Sequence, residues 1–107
     1  MAKFVVIDVF GERVECSELQ WNDHIVRRHP EMGGREDAVM NAIRSPVSVF
    51  GGNLPDTKAF LGEKFTTGFW TGATPIAVVR YHKASGFVVT AYLGTPSPDR
   101  RIIWARS

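Results

Sequence analysis

Apolar and polar positions change their period twice along this chain. From Lys3 to Val9 the residues are mostly β-branched, and Arg13 to Cys16 alternates apolar with polar around Phe10-Gly11-Glu12. That pattern predicts two strands joined by a turn. Ser17-Glu18-Leu19-Gln20 is a capping-box sequence, in which a serine hydroxyl accepts from the backbone N–H three residues on. The helix it opens should run to about His29, because Pro30 disfavours helical geometry at the residue before it. At about 100° per residue, Leu19, Trp21, Ile25 and Val26 fall in one broad arc that should face the core.

Gly33-Gly34 interrupts the chain. Arg35 to Arg44 resumes a helical pattern with Glu36 and Asp37 in its first turn, where carboxylates suit the helix dipole. Val39, Met40 and Ile43 make its apolar stripe, and Ser45-Pro46 ends it. Strand patterns follow at Val47–Phe50, Lys58–Phe65, Ile76–Lys83, Phe87–Leu93 and Arg101–Arg106, with a loop over 66–75. The expected architecture is α+β: an N-terminal β-hairpin and two short helices packed on a mainly antiparallel sheet of about four strands. The expected domain organisation is a single domain over 1–107.

The segment Ala84-Ser85-Gly86 suggests a three-residue hairpin loop with Gly86 in the left-handed region. It would pair Lys83 with Phe87 and Arg80 with Thr90. By alternation, Ala77, Val79 and Tyr81 then share a core face with Val89, Ala91 and Leu93. Val78, Arg80 and His82 share the other face with Val88, Thr90 and Tyr92. That second face carries a cation, a hydroxyl, a phenol and an imidazole. It suits a site and equally suits an ordinary solvated sheet surface.

Composition narrows the classes. With 107 residues, 44% hydrophobic and 22% charged, the chain has enough apolar material for one core. No run approaches the ~18–20 apolar residues of a membrane span, and no secretory signal pattern opens the chain, so no membrane is expected and a cytoplasmic location is. A lone Cys16 excludes an intrachain disulfide. The net charge of +2 permits a nucleic-acid partner without requiring one.

The densest polar cluster is His24 to Glu31. His24 and Arg28 stand four apart on one helix flank. The imidazoles are candidates for proton transfer near neutral pH; alternatively His29 bonds a free carbonyl at the helix end and His24 is a surface residue. No His-x-x-x-His or cysteine pair marks a metal site, and no cofactor is expected. Cys16 beside a histidine would suit a thiol hydrolase only if exposed; a small buried apolar role is the commoner one. Phe69 and Trp70 suit base stacking or a plug at the sheet edge.

The strings Trp21-x-x-His24-Ile25-x-x-Arg28-His29-Pro30-Glu31-Met32, Ile43-x-x-Pro46, Val79-x-Tyr81 and Val88-Val89-Thr90-Ala91-Tyr92 together resemble the phage-associated branch of the barnase/EndoU/colicin/RelE-like nuclease superfamily. The resemblance covers roughly residues 17–106. It implies helices followed by a four-stranded antiparallel sheet and, as in several members, RNA cleavage without metal. It implies catalytic positions at His24, His29, Arg80, Thr90 and Tyr92, with substrate contacts at Arg28, His82, Lys83 and Trp104. The implied partners are RNA and a cognate inhibitor or antitoxin. No barnase-like catalytic glutamate aligns. A non-catalytic binding module of the same fold is the alternative, and it turns on whether the histidines and Arg80 converge.

Overall fold

A computed structural model describes residues 1–95 and 101–107. The strands are β1 (Ala2–Ile7), β2 (Arg13–Ser17), β3 (Ser48–Gly51), β4 (Thr57–Leu61), β5 (Thr74–His82), β6 (Ser85–Gly94) and β7 (Ile102–Ala105). Between β2 and β3 lie a π-helical segment (Gln20–Val26), a 3-10 turn (Pro30–Met32) and the helix α1 (Glu36–Arg44). The class is α+β, as expected.

The sheet differs from the expected one of about four strands. It has seven, in the order β1-β2-β6-β5-β4-β3-β7. The N-terminal hairpin joins the main sheet through a parallel β2–β6 pairing, Val14 opposite Gly86, so the sheet is mixed. The other neighbouring pairs are antiparallel. A parallel neighbour needs a crossover connection. Here the whole stretch from the helices through β5 serves as that connection, and no local pattern announces it.

The helical layer covers one face of the sheet. Trp21, Ile25, Met32, Val39 and Ile43 pack there against Phe4, Val14, Phe60, Ala77, Val79 and Ala91. Among the described residues no helix lies on the opposite face. Two of the four residues assigned to the first helix's core arc, Trp21 and Ile25, are buried, and Val26 is half-buried; Leu19 is 66% exposed. Ser17 Oγ accepts from the backbone N–H of Gln20 at 3.0 Å, the expected cap. The Gln20 side chain does not reach back to Ser17; it donates to the carbonyl of Val89.

The β5–β6 hairpin corrects the expected register. Its loop has two residues, Lys83 and Ala84, with His82 opposite Ser85. Lys83 takes the left-handed conformation at φ 57, whereas Gly86 does not. Positive φ at only the first of two loop residues fits a type II′ turn. Arg80 therefore faces Phe87 and not Thr90, while Thr90 faces Val78. Between these pairs Val89 is an extra residue, a β-bulge. Val88 is consequently 2% exposed in the core and Val89 is 39% exposed, the reverse of the expectation. The shorter loop flips the face parity near the turn, and the bulge flips it back. Ala91 stays in the core, and Thr90 and Tyr92 stay on the face of Val78 and Arg80. Glycine is required at 86 for close approach: a Cβ there would lie 2.8 Å from Val79 Cγ1 and 2.9 Å from the ring of Tyr81.

Candidate functional site

The open face of the sheet builds the site. β4, β5 and β6 present alternate residues there: Ala59 and Leu61, then Ile76, Val78 and Arg80, then Thr90 and Tyr92. Together with Phe50 and the loop around Leu54 they enclose a cleft of about 400 Å³. Its floor is aliphatic. Its polar lining includes Arg80, Thr90 and Tyr92 beside Asn53, Thr57 and Thr95, so three of the expected site residues share one cavity.

Arg80 is half-exposed and donates from Nε to Asp56 Oδ2 at 3.0 Å. Among the described residues that is its only ion pair. The pair engages Nε, and no ion pair among the described residues engages the outer nitrogens, which suit a second oxyanion.

The helical segment runs beside the edge of β6. At the bulge residue Val89 the carbonyl accepts from Gln20 Nε2, tying the start of the helix to the strand. At the other end the His29 ring lies 5.6 Å from the ring of Tyr92, inclined by 35°. His29 Nδ1 is 3.7 Å from Glu31 Oε2. The imidazole thus meets Tyr92 and Glu31, and among the described residues its side chain shows no bond to a helix carbonyl. His24 is exposed and lies four residues after Gln20, about one turn on, which puts it on the flank that borders β6. Arg28 follows by four more. His24 itself lines none of the described cavities.

Other expected residues lie apart from this group. His82 is two residues past Arg80 on the same face of β5, about 7 Å from it at strand rise but about 20 Å from the Ile76–Tyr92 end, and it lines neither the cleft nor another described cavity. Lys83 is in the hairpin turn. Trp104 faces the opposite layer: it pairs with Val49 and packs against the hydrophobic core. Trp104 is half-buried, so part of its ring packs on the core and part is open to solvent, apart from the cleft.

Cys16 is buried at 1% exposure, and burial pushes its thiol up to about 12. A nucleophile needs the thiolate, so the thiol-hydrolase alternative has no site. Tyr81, on the covered face, has its phenol held above the usual range by burial and by Asp8, whose Oδ2 accepts its hydroxyl. Asp8 Oδ1 also accepts the N–H groups of Phe10 and Glu12, each at 2.9 Å. The Lys58 ammonium sits 4.2 Å from the Phe10 ring centre and 4.6 Å from that of Tyr81. This cluster pins the β1–β2 turn to β4 and β5.

Sequence reasoning did not single out Phe87, which is 44% exposed on the open face opposite Arg80. The expected register had paired it with Lys83, away from the site. Among the described residues no helix is long and apolar enough to cross a membrane. No protein-family model, curated protein or solved structure matches the chain.

Proposed function

We propose that this chain is a metal-independent endoribonuclease, akin to the phage-associated barnase/EndoU/colicin/RelE-like nucleases its motifs resemble. The observation that carries the reading is the shared cleft of Arg80, Thr90 and Tyr92, with His29 against Tyr92 at its rim.

In the proposed reaction the ribose 2′-hydroxyl attacks the adjacent phosphate. Its proton passes to one imidazole of the pair His24 and His29. The new O2′–P bond forms as the P–O5′ bond breaks, and the other imidazole protonates the departing 5′-oxygen. The products are a 2′,3′-cyclic phosphate and a free 5′-hydroxyl. Arg80, aided by Arg28, neutralises the phosphorane, and the hydroxyls of Thr90 and Tyr92 orient its oxygens. DNA lacks the nucleophile and is not cut.

One observation favours a second reading. Arg80 already holds Asp56, and the cleft floor is aliphatic, which suits a binding module of the same fold. The deciding experiment incubates purified protein with end-labelled RNAs and excess chelator. Cleavage to cyclic-phosphate ends is expected, with His24→Ala and Arg80→Ala each lowering the rate by about 10²–10⁴-fold while circular dichroism stays native. A folded parent protein that leaves varied RNAs intact would favour the binding module instead. Equal cleavage by the parent and His24→Ala would remove His24 from the mechanism.

A further inference from the structure

The cleft does not end at Arg80. Beyond it the open face carries a second depression of about 590 Å³, lined by Glu15, Ser17, Gln20, Arg80, Phe87 and Val89. The two hollows share Arg80 and Val89. The guanidinium thus stands on the saddle between them. Tyr92 lies in the first hollow and Phe87 in the second, both on β6 and on the same face of the sheet.

We infer that the second depression is a nucleotide subsite in which Phe87 stacks on the base next to the phosphate held by Arg80, so that single-stranded RNA crosses the saddle with one nucleotide in each hollow. This rests on the proposed ribonuclease reading and extends it to how the strand is held. The chemistry on the page favours a single-stranded polyanion. A stacking ring in each hollow with one cation between them matches the alternation of base and phosphate. Among the described residues the one carboxylate lining the second hollow, Glu15, is partnered by Arg13 at 3.5 Å, so it does not oppose a phosphate unscreened. Arg27 and Arg28, exposed on the adjoining helix, have no ion pair among the described residues. A duplex has its bases stacked inside and offers neither ring a face.

Phe87 is half-exposed on the strand surface, and no aromatic partner is described for it.

The test measures binding of a fluorescent 2′-O-methyl RNA octamer, which cannot be cleaved by the proposed reaction, by anisotropy. Phe87→Ala is expected to weaken binding about fivefold or more, the effect of losing one base–aromatic stack. Phe87→Trp should bind like the parent. Phe69→Ala is the control, since Phe69 is 91% exposed but lines neither hollow; it too should bind like the parent. Parent-like binding by Phe87→Ala, equal weakening by Phe69→Ala, or no binding by the parent would each overturn the subsite. The cleavage assay separates the two readings. Cleavage that is indifferent to Phe87→Ala, with unchanged octamer binding, sinks the subsite alone. Octamer binding that depends on Phe87 without any RNA cleavage supports the subsite and sinks the ribonuclease.

Discussion

Cys16 shows how burial decides chemistry at a single residue. It sits on the inward face of β2 between the sheet and the helices, where a thiolate would be desolvated. The thiol pKa is therefore pushed up from 9.0 to about 12. The sign of the linkage follows: the native state keeps the proton that the unfolded chain loses. This term leaves stability intact below pH 9.0 and lowers it as pH rises from there toward 12. At pH 8 the native protein should react with a thiol reagent far more slowly than the urea-unfolded chain, with the rate tracking unfolding. Immediate native labelling at pH 8 would contradict both the burial and the assigned structural role.

At the scale of elements, the helix beside β6 departs from simple periodicity. The π-helical segment Gln20–Val26 is wider than an α-helix. It seats Trp21 and Ile25 in the core while the preceding turn overhangs the sheet edge, where Gln20 is tied to Val89. Leu19, just before that tie, faces solvent. The two apolar residues should thus respond differently to truncation. Ile25→Ala should cost about 2–5 kcal/mol in urea unfolding, since the site is fully enclosed. Leu19→Ala should stay within about 0.5 kcal/mol, as surface substitutions usually do. Equal losses at the two positions would show that the helix buries a different face. The Val89 bulge belongs to this scale too. It supplies the carbonyl that Gln20 grips, and it restores the face on which Thr90 and Tyr92 meet Arg80.

Across the whole molecule, a single helical layer covers one side of a seven-stranded sheet and leaves the other side open. Arg80 lies on the open face of the central strand β5, and His24, Arg27 and Arg28 are exposed on the helical segment that runs beside β6. With a net charge of only +2, attraction to RNA must come from this local grouping and not from an overall field. If about three of these groups meet phosphates, log Kd should rise with log salt at a slope of about 2, and Arg80→Ala should reduce that slope by about 0.7. Titrations of the 2′-O-methyl octamer at several salt concentrations measure it. A salt-independent affinity would place the RNA on other surfaces.

The sequence by itself determined what short-range physics governs. Ser17 caps a helix start, Pro30 and Pro46 end helical stretches, and β-branched runs make strands close to where their alternation begins and ends. Side-chain parity also put Ala77, Val79 and Ala91 in the core and Thr90 and Tyr92 on the face of Arg80. That last result held only because two unforeseen changes cancelled: a shorter turn and a compensating bulge. Tertiary structure alone decided the parallel β2–β6 pairing, the inward side of Val88, the pairing of Trp104 with Val49, and the place of Phe87 beside Arg80. The reason is physical. Capping and alternation act between residues a few positions apart, and their energies are written locally. Strand order and register depend on which distant edges bury the most apolar surface while pairing every backbone group. That competition is settled only when the whole sheet assembles.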